Sequence, residues 1–253
     1  MSLKTKTSIS KFLFVYFCSF LTTKTNCQTI NFENCNEINL NINQPTEKIA
    51  ITSFPGSGNT WLRHLLHMAT GYHTGSFYHD GKLKDKGFLG EALNWDDDRL
   101  VGIKIHKMGL LKKTAQSRSQ DMRDLISKAV LLIRSPYRAI MSEFNRVNNP
   151  HHMHTGKAET EAFFNGTWDQ FLDENIYKWE NSITTWFNQF DNDGKQRVHV
   201  VCYEDLKEDT FKNVGNILGF IDLFSCITSQ FFLKKKLHIF KPNTLKSKNP
   251  SKT

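Results

Sequence analysis

Residues 48–71 read KIAITSFPGSGNTWLRHLLHMATG, and this stretch decides the fold. Lys48 to Ser53 is a short, mostly apolar run that stops at Pro55 and Gly56, as a strand entering a loop does. Leu62, Leu65, Leu66 and Ala69 then recur at helical spacing, and Gly71 is a natural residue to close that helix. The unit is therefore strand, glycine-rich loop, helix. Gly56 and Gly58 permit a turn tight enough to point successive N–H groups into one concavity, and the helix N-terminus adds a favourable dipole. Such a unit is built to hold an anion, with Ser57, Asn59 and Thr60 as side-chain donors beside it.

Working outward, Leu100–Ile105, Ala129–Ile133 and Arg197–Tyr203 read as further buried strands, the first two each leading into polar residues. Ser135 can cap a helix that begins at Pro136. Trp168, Leu172, Ile176, Trp179, Ile183, Trp186 and Phe190 step by three or four, which predicts one long helix with an apolar stripe. Thr167 and Gln170 fit a capping box at its start, and Glu204–Leu218 reads as a last helix closed by Gly219. Alternating strands and helices predict an α/β protein, a P-loop-type three-layer fold with a central parallel sheet flanked by helices.

The formal charge of +8 suggests nucleic acid as a partner, but its distribution argues against one. Seven Lys lie in residues 231–253 and four in residues 1–27, neither stretch holding an acid, which leaves residues 28–230 at −3. The basicity belongs to the ends. Lys4, Lys6 and Lys11 precede the apolar run Phe12 to Leu21, so residues 1–27 read as a signal peptide or a signal anchor engaging the membrane or secretory machinery. Residues 28–46 read as a linker, 47–220 as the folded domain, and 221–253 as a divergent Lys-rich tail. Entry into the secretory pathway makes Asn165-Gly166-Thr167 a usable N-glycosylation acceptor. Cys202 falls within a strand and is expected to be a buried small hydrophobe; five scattered Cys make neither a disulfide scaffold nor a zinc site. His151, His152 and His154 lack a fourth ligand at a recognisable spacing, so no metal is expected.

The loop does not match the triphosphatase pattern, because no Lys follows Gly58, and the strand Leu100–Ile105 ends in Lys-Ile-His rather than in a magnesium-binding Asp. A nucleotide kinase or NTPase is thus a secondary alternative. Instead, Phe54-Pro55-Gly56-Ser57-Gly58-Asn59-Thr60-Trp61, Arg134-Ser135-Pro136 with Ser142, Lys104-Ile105-His106 and Tyr203-Glu204-Asp205-Leu206-Lys207 together resemble sulfotransferases that use 3′-phosphoadenosine 5′-phosphosulfate. The resemblance spans about residues 48–220. Ala69-Thr70-Gly71-Tyr72, Gly87-Phe88-Leu89-Gly90-Glu91 and Ser142-Glu143-Phe144-Asn145-Arg146 are similar to the WSC-domain-containing subgroup.

That resemblance implies a set of roles. The loop Gly56, Ser57, Gly58, Asn59, Thr60 and Trp61 would hold the 5′-phosphosulfate, Arg134 and Ser142 the 3′-phosphate, and Tyr203 would lie near the adenine. His106 would be the general base, assisted by Lys104. The subgroup implies a Golgi membrane protein of type II orientation acting on sialic acid of glycans, with a glycan acceptor as partner and no metal. Three departures stand out. Gly56 occupies a position where cytosolic relatives carry Lys, so Lys104 or Arg63 becomes the candidate cation. Ile105 replaces a Thr. The family's Arg-Lys-Gly segment has no counterpart in residues 221–253, which keeps open a catalytically weak relative that binds a glycan or a partner protein.

Overall fold

The computed structural model describes residues 47–107, 126–150, 156–190 and 196–223. The targeting segment, the linker, His151, His152 and His154 and all but the start of the tail lie outside these residues. Among the described residues no helix is long and apolar enough to cross a membrane.

Among the described residues five strands form one sheet in the order β2-β3-β1-β4-β5, every pairing parallel. They are β1 Lys48–Ser53, β2 His73–Ser76, β3 Leu100–Lys104, β4 Ile126–Ile133 and β5 Val198–Cys202. The helices that matter for the site are α1 Asn59–Thr70, α2 Gly81–Lys84, α3 Pro136–Val147, α4 Thr167–Phe190, α5 Tyr203–Glu208 and α6 Thr210–Phe220. Single 3-10 turns occupy Leu89–Ala92 and Thr160–Phe163.

The layers follow from the period-2 alternation of the strands. Ile49 and Ile51 of β1, Val130 and Leu132 of β4 and Val201 of β5 face α1 and α6. Ala50, Ile103, Leu131 and Ile133 point the other way, against Ile183 and Trp186 of α4. β1, with both faces covered, is buried throughout. This is the predicted three-layer α/β sandwich. The stripe on α4 is core packing: Trp168, Ile183 and Trp186 are buried, and Trp179 packs against both the sheet and α3.

Helix α1 begins at Gly58 with no side-chain cap. A missing cap costs about 1 kcal/mol. The buried Leu62, Leu65 and Leu66 contribute roughly 1.5–3 kcal/mol each, so packing alone can hold the helix and leave its first-turn N–H groups open. Gly71 closes α1 at φ 75°, its N–H donating to His67 O at 2.8 Å.

Several elements differ from the sequence pattern. The edge strand β2, His-Thr-Gly-Ser, has no apolar period; it is held instead by Arg63 and by glycine contacts. β4 starts earlier than Ala129, at Ile126, and Lys128 reaches out to donate to Phe220 O at 2.9 Å and to pair with Asp222. The capping box of α4 does not form. Asn165 Oδ1 accepts from Thr167 N at 3.1 Å, while the Gln170 amide turns to Glu174. Ser135 precedes α3 without a side-chain cap bond, and Pro136 is its first residue as expected. The last helix is two: Asp209 N closes α5 on Asp205 O, and Asp209 Oδ1 then caps α6 through Lys212 N at 3.0 Å. Gly219 lies within α6 rather than closing it. Cys202 is buried in β5 and in no disulfide among the described residues, as read.

Gly102 of β3 lies against β1, where an added Cβ would stand 2.7 Å from Ile49 Cγ1 and 3.0 Å from Ile49 O. Gly102→Ala is expected to destabilise by about 1–3 kcal/mol. A urea midpoint equal to that of the parent protein would mean the β1–β3 spacing yields.

Candidate functional site

Because all strands run parallel, their C-terminal ends share one edge of the sheet, where open α/β folds bind ligands. β1 delivers the loop Phe54–Gly58 there, β3 delivers His106, β4 delivers Arg134 and β5 delivers Tyr203.

The loop turns through positive φ at Gly56 (78°) and Gly58 (95°), with Ser57 N donating to Phe54 O at 3.2 Å. Space requires these glycines as firmly as conformation does. A Cβ on Gly56 would stand 2.4 Å from Ala139 O and 2.9 Å from Glu143 N of α3, and one on Gly58 would stand 2.7 Å from the Tyr203 ring. No side chain fits at Gly56, which accounts for the missing Lys.

Arg134 gathers the surrounding elements. Its Nη1 donates to Gly56 O at 2.7 Å, its guanidinium lies 4.4 Å over the Tyr203 ring, and its carbonyl accepts from Trp179 Nε1 at 3.1 Å. Tyr203 in turn meets Trp61 edge-on at 5.6 Å. Ser142 packs against the same glycine, its Cβ 3.2 Å from where a Gly56 Cβ would be. Thus Arg134 and Ser142, eight residues apart in sequence, converge on Gly56. Ser57 Oγ, Asn59 Oδ1 and Arg134 Nε are buried without a hydrogen bond among the described residues. Unpaired buried polar atoms grouped around one loop suit a polar ligand.

Asn59 is placed differently from its expected role as a ligand donor. Its amide donates to Ile51 O at 3.1 Å and Ser53 Oγ at 3.3 Å, fastening the helix start to β1. Thr60 and Trp61 occupy the first turn of α1.

His106 sits across the loop. Its Nδ1 lies 2.7 Å from Ser53 O, a carbonyl that can only accept, so the proton is assigned to Nδ1 and Nε2 is left as an acceptor. Burial, then the Lys104 charge, then Arg146 and Arg63, depress its pKa to about 3 against the opposing Ser53 hydrogen bond. The imidazole is therefore neutral. Lys104 is lowered too, first by burial and next by Arg63, and its Nζ lies 5.7 Å over the Tyr78 ring.

Tyr78 went unseen in the sequence, because one aromatic in a loop carries no periodic signal. Its hydroxyl accepts from His106 N at 3.1 Å, the two rings lie 5.5 Å apart, and burial raises its pKa. Arg63 is not the free cation that the sequence allowed. It is fully buried, donating to Glu91 Oε1 at 2.7 Å, to Thr74 O at 2.7 Å and to Thr74 Oγ1 at 3.1 Å. Glu91 Oε2 accepts from Asp80 N at 2.8 Å, so this pair anchors the segment that carries Tyr78. Lys104 remains as the candidate cation. No group of His, Cys, Asp and Glu among the described residues is arranged to hold a metal.

Comparison with known proteins adds independent findings. Residues 46–230 match the sulfotransferase domain family. A WSCD family member from Drosophila melanogaster is 35% identical over 205 residues, covering 77% of this chain and 60% of the relative. Another from Aedes aegypti is 35% identical over 179 residues, covering 70% and 50%. The chain thus spans half to three-fifths of these relatives' length. Among solved structures, a mouse sulfotransferase complexed with PAP aligns with a TM-score of 0.49 at 22% identity, covering 71% of this chain and 59% of that one.

The depressed His106 pKa makes stability depend on pH. Between about pH 6.5, where the unfolded imidazole titrates, and about pH 3, the unfolded chain binds a proton that the native protein refuses. Stability is expected to fall as pH drops through that window, and His106→Gln to flatten the decline in urea unfolding. Identical slopes for the two proteins would place His106 in ordinary solvent.

Proposed function

We propose, from the premise that this chain belongs to the sulfotransferase family, that it moves a sulfuryl group from 3′-phosphoadenosine 5′-phosphosulfate to a carbohydrate hydroxyl. The observation that carries this reading is the convergence of Arg134, Ser142 and Tyr203 on Gly56 and Gly58 at an uncapped helix start. The open N–H groups of the α1 first turn suit the phosphosulfate, Arg134 and Ser142 a second phosphate, and the Tyr203 face a purine.

In the reaction, the acceptor oxygen forms a bond to sulfur as the bond from sulfur to the bridging phosphate oxygen breaks. The departing 3′-phosphoadenosine 5′-phosphate keeps that electron pair. His106 Nε2, already the acceptor nitrogen, takes the hydroxyl proton, and the loop N–H groups with Lys104 meet the charge growing on the phosphate. A base with a pKa near 3 is weak in the empty site. Burial is the largest cause of that depression; an anionic donor beside Lys104, Arg146 and Arg63 would oppose only the smaller, charge-derived part.

Sialic acid on glycans is the sharpest form of the acceptor reading, supported by the subgroup motifs around Gly71, Glu91 and Ser142. The basic flank and apolar run of residues 4–21 support a place in the secretory pathway, as a Golgi type II membrane protein or a luminal one. Labelled-sulfate transfer across a panel of glycans tests the acceptor, and label reaching only asialo glycans would remove sialic acid.

Isothermal titration with 3′-phosphoadenosine 5′-phosphate tests the donor. Absence of heat at about 1 mM nucleotide, where a site worth about 4 kcal/mol half-fills, would overturn the reading. Arg134→Ala is expected to weaken nucleotide affinity roughly 10- to 100-fold through loss of a charged hydrogen-bond donor. His106→Ala should cost about 100-fold or more in turnover with affinity kept. Equal loss of both would make His106 structural.

A further inference from the structure

The 3-10 turn Thr160–Phe163 and the start of α4 hold four consecutive exposed residues, Phe164, Asn165, Gly166 and Thr167. The turn is pinned from below. Ala158 N donates to Asn145 Oδ1 at 2.9 Å, and the Phe163 ring lies 4.8 Å from Phe144 and 5.7 Å from Trp168. With Phe163 turned into this aromatic cluster, Phe164 points outward and stands 83% exposed, the most exposed of the large hydrophobics among the described residues. A single exposed apolar side chain is ordinary on a protein surface, so the ring takes its meaning from what stands beside it. Its neighbour is Asn165 of an Asn-Gly-Thr triplet. Gly166 takes φ 88°, and Asn165 Oδ1 accepts from Thr167 N at 3.1 Å, which engages the amide oxygen and not the amide nitrogen.

We propose that Asn165 is an N-glycosylation site and that the Phe164 ring seats the first sugar. The inference rests on the secretory reading above for its compartment, and on the local geometry for its position. A lipid-pyrophosphate-linked oligosaccharide is the co-reactant. Asn165 Nδ2 forms a bond to the sugar's anomeric carbon, the bond from that carbon to the pyrophosphate oxygen breaks, the pyrophosphate leaves with the electron pair, and Nδ2 loses a proton. The sugar presents an apolar face of C–H bonds, and an exposed ring one residue away is the surface able to dehydrate it. The occupant of Phe164 is thereby a covalent one, delivered by its own neighbour.

The test expresses the full chain behind an added cleavable secretory leader in a eukaryotic cell, and in parallel without that leader. Amidase release of N-glycans should lower the mass and convert Asn165 to Asp, and neither Asn165→Gln nor Thr167→Ala should show the change. A leader-directed chain left unmodified at Asn165 would overturn the site. Modification only behind the added leader sustains the site and overturns the secretory address. Deglycosylation under native conditions should lower the thermal midpoint by about 2–4 °C, the shift that a single packed contact produces in a chain of this size. In Phe164→Ala that difference should vanish; an undiminished difference would overturn the role of the ring.

Discussion

The guanidinium of Arg134 occupies the point on which the site's geometry depends. It donates to the carbonyl of Gly56, lies on the face of Tyr203, and its own carbonyl takes the indole N–H of Trp179. β4, the β1 loop, α5 and α4 are thus referred to one residue. The contact is possible only because Gly56 and Gly58 lack side chains, since the volume a Cβ would need belongs to α3 in one case and to Tyr203 in the other. Any substitution there both strains a positive φ and separates the elements that Arg134 joins.

A second charged group acts at a distance. Arg63 and Glu91 form a fully buried pair, and burying two charges costs several kcal/mol per ion before their attraction is counted. The arrangement is tolerable because each guanidinium nitrogen of Arg63 donates to Glu91 or Thr74, and because Glu91 also fixes Asp80 N. Two residues from Asp80 is Tyr78, whose hydroxyl takes the N–H of His106. The pair therefore holds the orientation of the imidazole from outside the cleft, and contributes to keeping it neutral through the Arg63 field.

What could be read from the sequence was set by how local the signal is. β1 and α1, joined by an anion-binding loop, follow from Ile49, Ile51, Leu62, Leu65 and Leu66, and the stripe on α4 follows from Trp168 to Trp186, because side-chain period and helix geometry are local properties. β2 was illegible, since a strand of His, Thr, Gly and Ser is buried by partners far away in sequence. The break at Asp209 was hidden because a capping Asp and a solvent-facing helical Asp look alike in a string. Motif comparison placed Arg134, Ser142 and Tyr203 in one group, but Asn59 and Arg63 show its limit. Both lie where donors were expected, and both turn their side chains into the fold, Asn59 to Ile51 O and Arg63 to Glu91. Tyr78 shows the converse, a contact between chain segments that no spacing encodes.

The strand order has a consequence in time. β1 is the central strand, yet its neighbours are β3 and β4, whose residues follow it by about fifty and eighty positions in the registers Ile49↔Gly102 and Ala50↔Ala129. At roughly 5–20 residues per second of synthesis, the strand carrying the glycine loop emerges seconds before either partner exists. During that interval the face of Ile49 and Ile51 can meet only α1, the face of Ala50 has no partner, and closing the intervening chain must precede any gain from strand pairing. The central strand is thus the element of the sheet that must wait for partners on both of its edges.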